Sequence, residues 1–307
     1  MAPKILFAVV GPTAIGKTGL AIKLAKHYNT EILSADSRQF YQEMQLGTAV
    51  PNAEELATIP HHCIQHKSIF DAYSVGDFER EAIALLNKLF EKHDHVIMVG
   101  GSGLYVDAVI NGLDEFPNID PSIRESLNKI LSDKGITELQ RQLRLLDETY
   151  YNKMDIDNPH RLIRALEICI GTGKPYSSFL NKKKPKRKFQ VITIGLTAKR
   201  EVIYHRINLR VDKMIEEGLL AEAKRVYPHK ALNALQTVGY KELFNFFEGK
   251  WDLDFAISEI KKNTRRFAKR QLTWYRKNEN IIWFTNDDAF KTIIQRLDNE
   301  IVRMANE

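Results

Sequence analysis

Residues 11–18 read Gly-Pro-Thr-Ala-Ile-Gly-Lys-Thr and follow directly on the apolar run Ile5–Val10. The spacing G-x-x-x-x-G-K-[ST], placed after a strand and before a helix beginning at Thr18, is a phosphate-binding loop. It constrains the fold because the loop works only where a strand hands over to a helix. Gly11 and Gly16 let the backbone N–H groups of Pro12's neighbours, Thr13, Ala14 and Ile15, curl around an anion at a helix N-terminus. Lys17 supplies a point charge to the terminal phosphate, and the Thr18 hydroxyl suits Mg²⁺.

Other short apolar runs, Glu31–Ser34, Val96–Val99, Val191–Leu196 and Ile281–Phe284, alternate with amphipathic segments such as Asp77–Lys92, Glu201–Glu217 and Asp252–Lys277. Strands buried on both faces and separated by helices predict a parallel α/β sheet. With 307 residues, 44% hydrophobic and 27% charged, the chain can bury a sizeable core and is not a disordered or fibrous sequence. Its two cysteines, Cys63 and Cys169, exclude a disulfide scaffold and any multi-cysteine metal site built from this chain. No apolar stretch is long enough for a secretory leader or a membrane span, which predicts a cytoplasmic protein with reduced thiols.

From about Asp114 to Phe189 the alternation breaks. The segment carries helical patterns at Ser122–Ser132, Thr137–Leu146 and Pro159–Ile170 and ends in the basic run Lys182–Lys188. From Ile168 to Arg200 there are nine Lys or Arg and no Asp or Glu. The expected architecture is α/β: a P-loop NTPase-like parallel sheet core with helices on both faces and an inserted all-helical domain. The core spans 1–113 and 190–307, and the insertion spans 114–189.

Asp36 follows the strand Glu31–Ser34, at the edge where open α/β sheets place their ligands. Alone it reads as a cap or loop carboxylate; beside a phosphate loop it reads as a site residue. The strand Val96–Val99 ends in Gly100-Gly-Ser-Gly103, and not in the carboxylate that ATP- and GTP-hydrolysing enzymes use for Mg²⁺. The net charge of +6 matters only where it is clustered. The C-terminal amphipathic segment carries Lys261, Lys262, Arg265, Arg266, Lys269, Arg270, Arg276 and Lys277, with Glu259 the only acid from Phe255 to Lys277. Its apolar line, Ile257, Ile260, Phe267 and Trp274, is expected to pack on the core and leave the basic residues outward.

These motifs together resemble those of the bacterial tRNA dimethylallyltransferases, also called tRNA isopentenyltransferases. The resemblance covers the phosphate loop, Ser34–Gln39, Gly47–Ala49, Ile59–His62, Tyr73–Val75, Gly100–Tyr105, Arg161–Glu167, Arg206–Met214, Gly239–Glu242 and Lys269–Trp274, in family order along nearly the whole chain. It implies transfer of a dimethylallyl group from dimethylallyl diphosphate to the exocyclic amine of the adenosine just 3′ of the tRNA anticodon. The phosphate loop would then hold the donor's diphosphate, with Mg²⁺ held through Thr18. Arg210, and after it Arg206, would grip the same diphosphate from one helix face. Asp36 would be the general base.

The acceptor adenine would flip into a pocket lined by Ser37 and Gln39, whose amide can pair with adenine's donor and acceptor edge, and Arg38 would be a further tRNA contact. Further tRNA contacts implied by the resemblance are Ser102, Arg124, His160, Arg161, Leu162, Ile163 and Arg164, then Gly239, Tyr240, Lys241, Lys269, Arg270, Trp274 and Arg276. The family also implies a monomer and no membrane association. A P-loop small-molecule kinase or an adenylate isopentenyltransferase would equally explain residues 11–18 and Asp36, but needs neither the insertion nor the basic helix. An RNA-binding NTPase switch would need the missing metal carboxylate. The cluster His61, His62, Cys63 and His66 matches no standard zinc spacing and reads as packing. Trp251, Trp274 and Trp283 read as core or helix-packing residues.

Overall fold

Strand β1 (Ile5–Val10) is buried along its whole length. Alternate residues of this one strand feed two different cores, as the period of two in a strand requires. Ile5, Phe7 and Val9 enter one cluster with Leu24, Ile203, Ile207, Ile293 and Leu297. Leu6, Ala8 and Val10 enter the other with Phe78, Leu86, Val106, Val109 and Tyr275. Helices Lys17–His27, Arg200–Glu216 and Phe290–Asn306 therefore cover one face, and Val75–Lys92 and Gly103–Asn111 the other. Burying a leucine- or isoleucine-sized side chain contributes about 1.5–3 kcal/mol, so both faces anchor the strand from which the phosphate loop leaves.

The computed structural model describes residues 3–180 and 186–306. Its six strands are β1, β2 (Ile32–Ser34), β3 (His61–His62), β4 (His95–Val99), β5 (Gln190–Thr197) and β6 (Ile282–Thr285). They form one sheet in the order β3-β2-β4-β1-β5-β6, parallel at every pairing. The loops after β1, β2 and β4, three strands close together in the middle of the sheet, all open at its C-terminal edge. The five strands expected from sequence are present within a residue or so at each end; β3, two residues long, carries no readable pattern.

Local chemistry sets the helix starts. Ser74 and Asp77 form a reciprocal capping box at Val75–Lys92. Asp120 and Asn158 cap Pro121–Lys134 and Pro159–Thr172, each with proline in the first turn.

Residues 112–186 form a compact unit of their own, separate from the unit made by 1–111 and 187–307. The smaller unit is helical: Pro121–Lys134, Ile136–Leu146, Glu148–Tyr151 and Pro159–Thr172 enclose Leu127, Leu139, Leu143, Leu162, Leu166 and Cys169. The return to the larger unit falls at 187 and not after 189, because Arg187 pairs with Glu79 and donates to the Ala108 carbonyl, and Phe189 packs on Phe90. Of the basic run, 182–185 lie outside the described residues.

Two expectations for the Leu253–Tyr275 helix are corrected. Its buried seam is Ala256, Ile260, Ala268, Gln271 and Tyr275, while Phe267 is 38% and Trp274 39% exposed. Its basic side is also less free than its sequence implies: Lys261 pairs with Asp212, Lys262 with Glu259, and Arg265 with Asn208.

Candidate active site

Gly11 leaves β1 at φ +142, with its would-be Cβ 2.5 Å from the Leu196 carbonyl oxygen; only glycine can take that turn. Ala14 (φ 63) and Gly16 (φ 106) then place the loop in the left-handed region on either side of Ile15. The Ile15 side chain turns inward and is 2% exposed, so this position anchors the loop in the core.

Three cations converge on the loop. Lys17 Nζ donates to the Pro12 carbonyl at 2.9 Å. Arg206 Nε donates to the Ala14 carbonyl at 2.8 Å and Arg210 Nη1 to Thr13 Oγ1 at 3.4 Å. The four-residue spacing of the arginines does bring both to one face of Arg200–Glu216. Burial pushes Lys17 down to about 8, with Asp36 working in the opposite direction and Arg210 in the same one. Arg210 is likewise lowered by burial and by Arg206. Arg206 itself stays exposed, but holding Lys17 and Arg210 close together under burial is costly unless an anion joins them.

Asp36 follows β2, and its Oδ1 accepts the Arg38 N–H at 3.0 Å. It lies where two clefts meet. The first, about 470 Å³, is lined by the phosphate loop, Lys17, Thr18, Arg210 and the segment Gln45–Asn52 apart from Gly47. The second, about 580 Å³, is lined by Ser37, Ser102, Gly239, Lys241, Arg270 and Trp274 among others. Thr13, Asp36, Thr48, Ala49, Arg210 and Met214 belong to both. The Thr18 hydroxyl is on the wall of the first cleft, beside the loop that would hold phosphate oxygens. Hard oxygen donors of this kind fit a Mg²⁺ ion that keeps water and phosphate oxygens in its remaining positions.

A residue of the Lys269–Trp274 motif that had no role assigned from sequence joins the loop to the β4 turn. Gln271, 5% exposed, accepts the Thr13 N–H at 2.8 Å and donates to the Gly101 carbonyl at 2.9 Å. The signal in the sequence was a lone amide at an apolar position of the helix seam.

The expected tRNA-contact residues divide by burial and partners. Ser102 Oγ accepts the Ser37 N–H and donates to Ser37 Oγ, both at 3.0 Å. Lys241, Lys269, Arg270, Trp274 and Arg276 are exposed, and Trp274 Nε1 donates to Asp107 at 2.9 Å. His160 and Arg161 are exposed on the helical unit.

Four expectations fail. Leu162 (0%) and Ile163 (3%) are core residues of the helical unit and offer no surface to RNA. Tyr240, fully buried, donates its hydroxyl to Glu222. The Gln39 amide, expected to read adenine, donates instead to the Thr48 and Ala49 carbonyls at 3.2 and 2.9 Å. Arg38 does line the second cleft, with its guanidinium on the Asn233 and Ala234 carbonyls, both at 3.1 Å. Arg124 and Arg164 both grip Glu167, at 2.8 and 2.9 Å, with heads still part exposed.

The histidine-rich segment does not converge as one cluster. His62 pairs with Glu31 at 2.6 Å and His61 Nδ1 meets the Ile59 carbonyl at 2.7 Å. Ligand atoms of Cys63, His66 and Glu81 do lie within 4.8 Å of one another. Glu81 already holds Tyr73 and Lys67, and burial pushes the Cys63 thiol up to about 12. Trp251 and Trp283 are half-buried, whereas Trp274 lines the second cleft.

The family model described as IPP transferase matches residues 39–278. The tRNA dimethylallyltransferase of Christiangramia forsetii is 63% identical over 296 residues, 96% of this chain and 98% of that protein. That of Flavobacterium johnsoniae is 59% identical, covering 97% of this chain and all 100% of the relative. The crystal structure of the full-length tRNA isopentenylpyrophosphate transferase of Bacillus halodurans matches with a TM-score of 0.72 and 38% identity, over 99% of this chain and 100% of that one. A eukaryotic dimethylallyltransferase captured acting on tRNA matches with a TM-score of 0.77 and 27% identity, over 93% of this chain and 74% of its own. A sheet with a phosphate loop at its centre, a helical unit set into the chain and relatives alike over nearly its full length lead to one conclusion: the chain belongs to the tRNA dimethylallyltransferase family.

Proposed function

We propose that the chain transfers the dimethylallyl group of dimethylallyl diphosphate to the exocyclic amine of an adenosine 3′-adjacent to the anticodon in tRNA, releasing diphosphate. The observation that carries this reading is the position of Asp36 between a cation-lined cleft and a second cleft with Trp274, Phe267 and Arg270 on its wall. The first suits a diphosphate. The second suits a base stacked on an aromatic ring beside a cation.

The amine nitrogen is a weak nucleophile, since its lone pair is shared with the purine ring. Its attack on the allylic carbon forms the new C–N bond as the C–O bond to diphosphate breaks, and the bonding pair leaves with the diphosphate. Lys17, Arg206, Arg210 and the loop N–H groups meet the charge that develops there. Mg²⁺ bound through Thr18 would supply further neutralisation of the diphosphate. Asp36 accepts the proton that the amine loses. Exposed Arg161, His160, Lys269 and Arg276 add the phosphate contacts that hold the RNA. Among the described residues no helix is long and apolar enough to cross a membrane; a tRNA substrate and two free cysteines suit a monomer working in the cytoplasm.

The test is incubation with Mg²⁺, radiolabelled dimethylallyl diphosphate, unmodified tRNA and competing AMP. Label in tRNA is the expected result. Label in AMP would move the chain to the adenylate branch, and nucleotide hydrolysis with no label in either would overturn the assignment of the phosphate loop.

A further inference from the structure

We infer that Glu222 is the positioning residue for the prenyl donor, acting by fixing the wall that faces the phosphate loop across the first cleft; this rests on the donor reading above. Glu222 lies on the helix Leu219–Val226 and is 4% exposed. Its Oε2 accepts the N–H groups of Gln45 at 3.1 Å and Leu46 at 2.9 Å. Its Oε1 accepts the Gly47 N–H at 2.9 Å and the Tyr240 hydroxyl at 2.7 Å. Among the described residues it forms no ion pair. A buried carboxylate is costly unless its oxygens are met by donors, and three of its four donors here are consecutive peptide groups of one surface segment.

That segment begins the cleft wall, where Gln45, Leu46, Thr48, Ala49, Val50 and Pro51 face the cleft. Its far end is held from the other side, where the Gln39 amide takes the Thr48 and Ala49 carbonyls. Gly47 closes the assembly. A Cβ there would stand 2.5 Å from the Tyr240 ring, so the backbone closely approaches the ring whose hydroxyl completes the set around Glu222. The two ends of the wall are thus pinned through a carboxylate and an amide, and its apolar members Leu46, Ala49, Val50 and Pro51 are presented at a fixed distance from Lys17 and the loop. A diphosphate seated on the loop directs its short branched tail at such a surface.

Both oxygens of Glu222 must accept, which glutamine cannot do: its NH₂ would face either two peptide N–H groups or one plus the Tyr240 hydroxyl. The experiment is steady-state kinetics of Glu222→Gln against wild type at a temperature where circular dichroism shows both folded, varying dimethylallyl diphosphate and tRNA separately. The expected result is a KM for the diphosphate raised tenfold or more, a KM for tRNA within twofold of wild type, and increased use of geranyl diphosphate relative to dimethylallyl diphosphate. Tyr240→Phe removes one donor of four and gives a smaller rise in the same constant. Unchanged constants, or a fall in kcat with both KM values unmoved, would overturn the inference. If Glu222→Gln does not fold, Tyr240→Phe and Glu222→Asp carry the same readout. A wild type that transfers no label would sink the donor reading instead; amide exchange of Gln45–Gly47, faster in Glu222→Gln if the clamp is real, then decides the structural half by itself.

Discussion

Gln271 Oε1 receives the N–H of Thr13 across 258 residues of sequence, and the same amide holds the Gly101 carbonyl. The anion loop and the turn after β4 are therefore fixed by one side chain from the C-terminal helix. Replacing it with alanine strands a loop N–H and a turn carbonyl. The expected cost is about 1–3 kcal/mol of stability, read by urea denaturation, with a rise in the KM for the diphosphate. Full stability together with an unchanged KM would show that the loop holds its shape without this bridge.

Asp36→Asn keeps the shape of the side chain and removes the base. The expected outcome is tRNA binding within a fewfold of wild type and turnover lower by about 10²–10⁴, measured in single turnover with labelled donor. Equal losses of binding and rate would remove Asp36 from the proton-accepting role.

Lys17 sits at about 8, below its ordinary value. Its charged form is disfavoured in the folded protein, so the group costs stability below about pH 8 and the cost fades as pH rises towards the unfolded value. Binding of an anion reverses this by favouring the ammonium. Inorganic diphosphate is thus expected to bind with proton uptake near pH 8 and to weaken above it. Calorimetry in two buffers of different ionisation enthalpy measures the uptake. Lys17→Met should abolish it, and an uptake that survives this substitution would place the proton elsewhere.

Glu167 lies between Arg124 and Arg164 with its carboxyl lowered overall: burial opposes its charge, and hydrogen bonds from the two guanidiniums more than offset it. Such a group stabilises the fold above the usual carboxylate range, and that contribution is lost as pH falls through the lowered value. Glu167→Gln should destabilise the chain by about 1–2 kcal/mol at neutral pH, a figure discounted because both arginine heads are part exposed. It should also flatten the acid limb of a denaturation-against-pH curve. A variant with wild-type stability at every pH would reduce the trio to a surface arrangement.

Much of the fold was legible because its strands are short apolar runs with clear ends. The helix Gly103–Asn111 was not, since it starts inside a glycine turn and its N-terminal Ser102 turns its hydroxyl to Ser37. In the C-terminal helix Ile260, Phe267 and Trp274 repeat at seven residues, and a straight helix drifts about 20° per heptad away from such a line. The buried seam shifts by one position to Ala268 and Tyr275, and the two aromatics swing towards the cleft. The phosphate loop and Asp36 were readable because each stands at a strand end. The family motifs could not separate contact from core, so Leu162, Ile163 and Tyr240 were placed at a surface they do not reach. The roles of Glu222 and Gln271 were not readable because each acts on backbone groups that only the fold brings near.

The position of β1 has a consequence during synthesis. It lies between β4 and β5, and β5 begins only at Gln190, beyond the helical unit. At about 5–20 residues per second, a ribosome needs roughly 10–40 seconds to deliver the strand that covers its second edge. For about the first half of that interval, until β4 is made, both flanks of this fully apolar strand are open, and for the rest one is. How long the second flank stays open after β4 is thus set by the length of chain inserted between β4 and β5.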